Sequence, residues 1–455
     1  MKDCTANQLK NRINDERQLL LTAKDLNTRD EFNWLEAWLN NQMISERVRN
    51  FSFQTTFRLF LKQVLSEDGS CQSVVTHFSH TCYTKRDTKL SSNTSAYCQA
   101  RYRLPEQKIK QCAEELALKL HQSMPQAWNW HGRQVKIVDG TCVSMPDTEE
   151  NQLAYPQPGT QEEKLGFPSL RLVGLICLGT GAVLGTELGP AKGKYYGEPH
   201  LLRRLFLHLS PGEILLGDSY YCSYFMFDAL RRKKVDAIFE LQACRRSDFR
   251  KGRRLSKNDH IVTWTKAVRP EWMDEDVYDD EIPDKLMLRE IKISDRKKSK
   301  VLVTTLGEEY SKEEIIKLYM QRWNIELDFR SIKETMQMGI LRGKTPAMVR
   351  KEVWMYLVGY NLIRWLIASA AYAFKKIPRM LSFKAAMQAT NSLLEELTYG
   401  CSKTYCWLMN MISKHRVGNR PGRIEPRLVK RRPKPFRNLR EPREQARQRI
   451  RKSYA

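Results

Sequence analysis

The stretch from Gln134 to Gln242 constrains the fold most, because its alternation of apolar runs and turn signals leaves few architectures open. QVKIVDGTCVSM reads as a strand, LRLVGLICLGTGAVLGTELG as two strands joined at a Gly-Thr-Gly hairpin, and EPHLLRRLFLHL as a helix. A strand in EILLGDSYYCS, a helix in SYFMFDALRRKK and a strand in DAIFELQ follow. A three-strand meander followed by alternating helix and strand builds a mixed sheet with helices on its faces, an α/β architecture. Asp139 is then expected at the end of the first strand and Asp218 at the end of the fourth, on the sheet edge where ligands gather.

The strongest periodic signal is Tyr310 to Met338, YSKEEIIKLYMQRWNIELDFRSIKETMQM, which reads as one helix of about eight turns. Ser311 with Glu314 is a capping-box start, and no Pro or Gly interrupts before Gly339. At 100° per residue, Tyr319, Arg322, Glu326, Arg330 and Lys333 share an arc of about 80°, beside an apolar stripe of Leu318, Ile325, Phe329, Ile332 and Met336. One acid among three cations and a phenol is not the alternating-sign pattern of a solvated helix. It suits a metal ligand held against a nucleic-acid backbone.

Tyr319, Arg322, Glu326 and Lys333, in the order Y-x2-R-x3-E-x6-K, resemble the YREK signature of the insertion-sequence-four family of DDE transposases, relatives of the transposon five and transposon ten enzymes. The flanks VTTL and GILRGKTPAMVRKE also resemble that family, and the similarity runs from about residue 50 to about 370. The element order after Gln134 matches the ribonuclease H-like fold that the resemblance implies.

Cutting a phosphodiester with water or a sugar hydroxyl calls for two divalent ions, and carboxylates suit hard Mg²⁺, with Mn²⁺ as a substitute. Asp139, Asp218 and Glu326 come from three elements that this fold would bring together, and the resemblance implies that they are the catalytic, metal-holding triad. Asp147, in a loop, and Asp228 and Asp236, within a helix and at a strand start, are the rivals. GDSYY carries Ser219 where the family commonly has Arg, so a phosphate contact is missing or supplied elsewhere. Arg322, Arg330 and Lys333 are suited to DNA phosphates, and the resemblance implies that Tyr319 and Arg322 hold the flipped or hairpinned DNA end. The function implied is Mg²⁺-dependent cleavage at transposon ends and strand transfer into target DNA by a homodimer on paired ends. The alternatives are a nuclease of the same fold without transfer, and a catalytically silent DNA-binding protein.

The rest of the chain divides around this core. Residues 1–125 read as short helices, with Trp34, Leu35, Trp38 and Leu39 on one face and Arg101, Arg103, Lys108 and Lys110 available to a groove; a helical cap on the core is the alternative to the end-recognising DNA-binding region that the resemblance implies. The core's first part is 126–244, and 245–303 reads as a β-rich insertion in which Trp264 and Trp272 are candidates for stacking on an unpaired base. The second part is 304–374, then a helical segment follows at 375–412, with helices expected at about 346–374 and 382–412. From Ser413 the tail holds 16 Lys or Arg against three Glu, which predicts disorder and non-specific DNA binding.

The net charge of +25 points to a polyanionic partner. Eleven Cys without C-x2-C pairs fit reduced thiols in a cytosol better than a zinc site or a disulfide framework. The N-terminus lacks a signal-peptide core, and the most apolar helix carries Arg364 at its middle, so we expect a cytoplasmic protein with a buried core helix and no membrane span.

Overall fold

The apolar runs after Gln134 pair as an antiparallel meander of β1 (Val135–Ser144), β2 (Ser169–Cys177) and β3 (Val183–Pro190). The structure, a computed structural model, describes residues 30–42, 50–86, 90–159, 162, 164–193, 195–294, 299–398, 402–418 and 440–454. β4 (Ile214–Gly217) runs parallel to β1, and β5 (Asp236–Glu240) parallel to β4. The turn between β2 and β3 needs Gly181, whose φ of +82° is a conformation side chains rarely adopt.

The strands of residues 245–303 do not form a sheet of their own. β6 (Arg253–Ser256), β7 (Asp259–Thr265), β8 (Lys285–Ser294) and β9 (Ser299–Thr304) extend the core sheet, because β9 pairs antiparallel with both β5 and β8. The resulting order is β3-β2-β1-β4-β5-β9-β8-β7-β6. Leu302 and Val303 of β9 are buried among the two opposite cores, which favours an interior strand over an edge.

Among the described residues five α-helices precede the sheet: α1 (Asp30–Asn40), α2 (Phe53–Leu65), α3 (Cys71–Arg86), α4 (Ser95–Arg103) and α5 (Glu106–Gln122). The aromatic face of α1 docks on the core, with Leu35, Trp38 and Leu39 buried and the Trp34 ring 6.2 Å from that of Trp365. Helices α2 to α4 share a small cluster of Leu59, Val74, Val75 and Tyr97. Two of the four cations expected to face a groove are partly buried against partners in the chain. Arg101 donates to Gln63 Oε1 at 2.7 Å and lies over Phe60, while Lys110 lies over Trp354 beside Glu114. The reason is that Ile109, Ala113, Leu116 and Leu120 bury one face of α5, drawing its neighbours against the core.

After β1 comes α6 (Glu149–Ala154), and α7 (Glu198–Arg204) and α8 (Tyr224–Arg232) cover the sheet face built on Val173, Leu215 and Phe239. The helical signal at 310–338 is not one regular helix. It comprises α9 (Lys312–Met320), a 3-10 turn at Gln321–Trp323, α10 (Asn324–Arg330) and a π turn at Ser331–Thr335. The Ser311 and Glu314 capping box is present. The π turn, whose Met336 N–H donates to Ser331 O at 2.9 Å, lets both Ile332 and Met336 enter the core.

α11 (Pro346–Ala373) is 28 residues long and buried on nearly every side. Asn361 ties it to the sheet, donating to Val183 O at 3.0 Å and accepting from Val183 N at 2.9 Å. No helix among the described residues is long and apolar enough to cross a membrane, and the described cysteines are free. The segment expected as one helix at 382–412 is two, α12 (Phe383–Thr398) and α13 (Ser402–Lys414). Of the tail expected to be disordered, 419–439 lies outside the described residues, whereas α14 (Arg443–Tyr454) is a largely exposed helix. Glu444 in its first turn and Arg451 and Lys452 in its last complement the helix dipole.

Candidate active site

Strand register brings the first two acids together. In the parallel pair Ile137 lies opposite Leu216, and continuing two residues along each chain sets Asp218 level with Asp139. Pairing stops there because β4 ends at Gly217, while β1 runs on against β2 alone, so Asp139 lies within β1 rather than at its end. That exposes the carboxylates at the carboxyl end of β4, a site where open sheets gather ligands. Asp218 caps the following 3-10 turn, accepting from the Tyr220 N–H at 2.9 Å. The Gly140 N–H donates to Asp139 Oδ1 at 2.8 Å.

Glu326, in the first turn of α10, faces Asp139 across Arg322. The guanidinium stands 3.6 Å from Asp139 Oδ2 and 3.6 Å from Glu326 Oε1, balancing both. Lys333 reaches β1 and donates to Thr141 Oγ1 at 3.1 Å. Arg330 is exposed. Tyr319, expected on the polar stripe, is only 5% exposed, and its hydroxyl is a buried donor with no hydrogen-bond partner among the described residues. The 3-10 turn after Met320 shifts the phase of the helix, so a uniform 100° step misplaced this ring.

Burial pushes the Asp139 carboxyl up to about 6, against the opposing hydrogen bond from Gly140, with Asp218 and Glu198 adding to the rise and Arg322 countering it. A half-buried acid beside other acids is poised to gain a cation. The donor set is all carboxylate oxygen, which fits Mg²⁺ or Mn²⁺. Among the described residues, no three acidic, His or Cys side chains are arranged to hold an ion directly.

The rivals are occupied elsewhere. Asp228 is buried and paired with Arg231 and Arg232, Asp236 pairs with Arg133 and accepts from Thr305, and Asp147 accepts from Gln152. Trp264 is corrected as a base-stacking candidate: it is buried, its indole N–H donates to Glu290 Oε1 at 3.0 Å, and Arg245 covers its ring at 3.7 Å. An alternating strand buries one face, and Trp264 falls on that face of β7. Trp272 is 43% exposed, with Arg203 over its ring at 3.9 Å.

Three residues escaped the sequence reading. Glu198 carries a carboxylate against Gly140 of β1. Trp323 is 51% exposed next to Arg322. Asp328, two residues beyond Glu326, is fully buried and paired with Arg364 and Arg379, which explains the cation in the middle of α11. The available signal for Asp328 was Arg364 itself, since a charge inside an apolar helix needs a buried counter-charge.

Residues 130–362, a span that includes Asp139, Asp218 and Glu326, match the family described as Transposase DDE domain. The chain is 26% identical over 350 residues to the transposase InsG for insertion sequence element IS4 of Escherichia coli (strain K12), covering 74% of this chain and 77% of that protein. Among solved structures it is similar to the piggyBac transposase synaptic complex with hairpin DNA, with a TM-score of 0.41 and 10% identity, covering 89% of this chain and 86% of that one.

Proposed function

Because the chain belongs to the DDE transposase family, with an insertion-sequence-four element transposase among its relatives, we propose that it cuts DNA at the terminal repeats of its element and joins the freed ends to target DNA. The observation that carries this reading is that Arg322 stands 3.6 Å from both Asp139 of β1 and Glu326 of α10, with Asp218 level with Asp139 just past the end of β4. The order β3-β2-β1-β4-β5 supports a ribonuclease H-like core.

In this reading Asp139, Asp218 and Glu326 hold divalent ions, Mg²⁺ or Mn²⁺. When bound, such ions activate the attacking oxygen and stabilise the leaving oxygen of an in-line displacement. Arg322, which balances two acids here, turns its fork to a phosphate of the strand being cut. Lys333 adds a point charge from beside Thr141, and the unpartnered Tyr319 hydroxyl donates to a phosphate oxygen. Exposed Arg330 extends the phosphate track along the helix. The ends pass through a hairpin, two copies of the chain hold paired ends, and the α1 to α5 region recognises them. The positive charge of +25 serves the DNA backbone.

The test is cleavage and joining of a labelled fragment bearing the element's own ends, with Mg²⁺ and with chelator, for wild type and Glu326→Gln. Wild type should release and join ends only with metal, whereas Glu326→Gln should bind DNA without cutting it. A cutting Glu326→Gln enzyme would remove Glu326 from the site, and cleavage without joined products would reduce the protein to a nuclease.

A further inference from the structure

Glu198 stands against the floor of the site in a way its position in sequence does not suggest. A Cβ placed on Gly140 would lie 2.3 to 2.7 Å from the Glu198 carboxyl group, so the absence of a side chain there is what admits the acid beside Asp139. The Tyr221 hydroxyl, on a fully buried ring, donates to Glu198 Oε2 at 3.2 Å. Arg171 approaches Oε1 only to 4.0 Å, and its buried Nε has no hydrogen-bond partner among the described residues. A carboxylate offers about four acceptor positions. Among the described residues Glu198 therefore keeps unused acceptors against Gly140, whose N–H binds the Asp139 carboxylate, and it also feels the charge of Asp218.

Such a crowd of half-buried acids is costly unless a cation joins it. Mg²⁺ sheds water reluctantly and keeps several waters when bound through one or two carboxylates. Those waters need acceptors, and groups that hold them shape affinity almost as the direct ligands do. We propose that Glu198 is a fourth acid of the active site, an outer anchor that accepts hydrogen bonds from the water shell of the divalent ion held by Asp139 and Asp218. Tyr221 positions it, and Gly140 leaves it room. The inference rests on Asp139, Asp218 and Glu326 being the ion-holding acids. It makes Glu198 a positioning residue that acts through water.

The test reads metal binding directly, on the full chain without DNA. Mn²⁺ is titrated and the free ion counted by its electron paramagnetic resonance signal, for wild type, Glu198→Gln, Tyr221→Phe, Asp139→Asn and Glu326→Gln, with thermal unfolding run alongside. Glu198→Gln should weaken Mn²⁺ binding by about 10-fold or more at unchanged melting temperature. Tyr221→Phe should weaken it in the same direction by a smaller factor, and it decides the matter alone if Glu198→Gln fails to fold. Unchanged affinity in both variants, while Asp139→Asn and Glu326→Gln lose the ion, overturns the role of Glu198 and leaves the proposed site standing. Unchanged affinity in all four overturns the site and the inference together.

Discussion

Replacing Asp328 should be among the most damaging single changes in the core, although the residue touches no substrate. Its carboxylate is fully buried; Arg364 Nη2 donates to Oδ1 at 2.5 Å, and Arg379 Nη1 donates to Oδ1 and Oδ2 at 2.6 and 2.7 Å. Without it, Arg379 keeps the carbonyls of Leu178 and Cys177, but among the described residues Arg364 keeps the Tyr360 hydroxyl and the Tyr360 and Phe383 rings in a nearly dry site. Removing one partner of a buried ion pair costs about 3–5 kcal/mol, because it strands the other charge. That is a large share of the roughly 5–15 kcal/mol by which a domain is stable. Asp328→Ala should show this loss as a lowered urea midpoint, followed by tryptophan fluorescence. Asp328→Asn keeps an acceptor and should lose less, about 1–3 kcal/mol. If the cost is the stranded charge, adding Arg364→Met to Asp328→Ala should restore part of it. A loss below about 1 kcal/mol, or a double variant weaker than the single one, would refute the reasoning.

Gly181→Ala should destabilise the same junction by about 2 kcal/mol, from the left-handed backbone alone and from contact. Its new Cβ would lie 2.8 Å from Arg364 Nε and 3.0 Å from Arg379 Nη1, and an unchanged melting temperature would contradict this. His208 supplies a pH dependence: burial, then Lys136 and Lys110, push its imidazole down to about 4. The unfolded chain takes up that proton near pH 6.5, so stability should climb as pH rises from about 4 to 6.5 and then level off. His208→Asn should flatten that part of the stability profile, and an unaltered slope would assign it to other groups.

The separation of legible from illegible features follows local and non-local physics. Period-2 apolar runs announced the meander and both parallel strands, and the Ser311 capping box announced the start of α9, because each signal is contained within a few residues. The acids at 139, 218 and 326 were singled out from expected strand ends and one helix face, although Asp139 lies within β1, and the family was readable from the spacing of four residues on that helix. What no local pattern contained was the join of β9 to β5, which absorbs the expected insertion into the core sheet. Nor could a uniform helical step foresee the 3-10 turn that shifts the phase after Tyr319 or the π turn that lets Ile332 and Met336 enter the core. Trp264 alternates like any strand residue, and only the neighbouring Glu290 and Arg245 decide that it faces inward. The same holds for Glu198 and Asp328, whose partners lie tens of residues away and meet them only after folding. The sequence by itself determined the strands, the capped helix and the family; tertiary contact decided which charges are buried and what each one faces, because a charge is tolerated indoors only where distant chain supplies its counterpart.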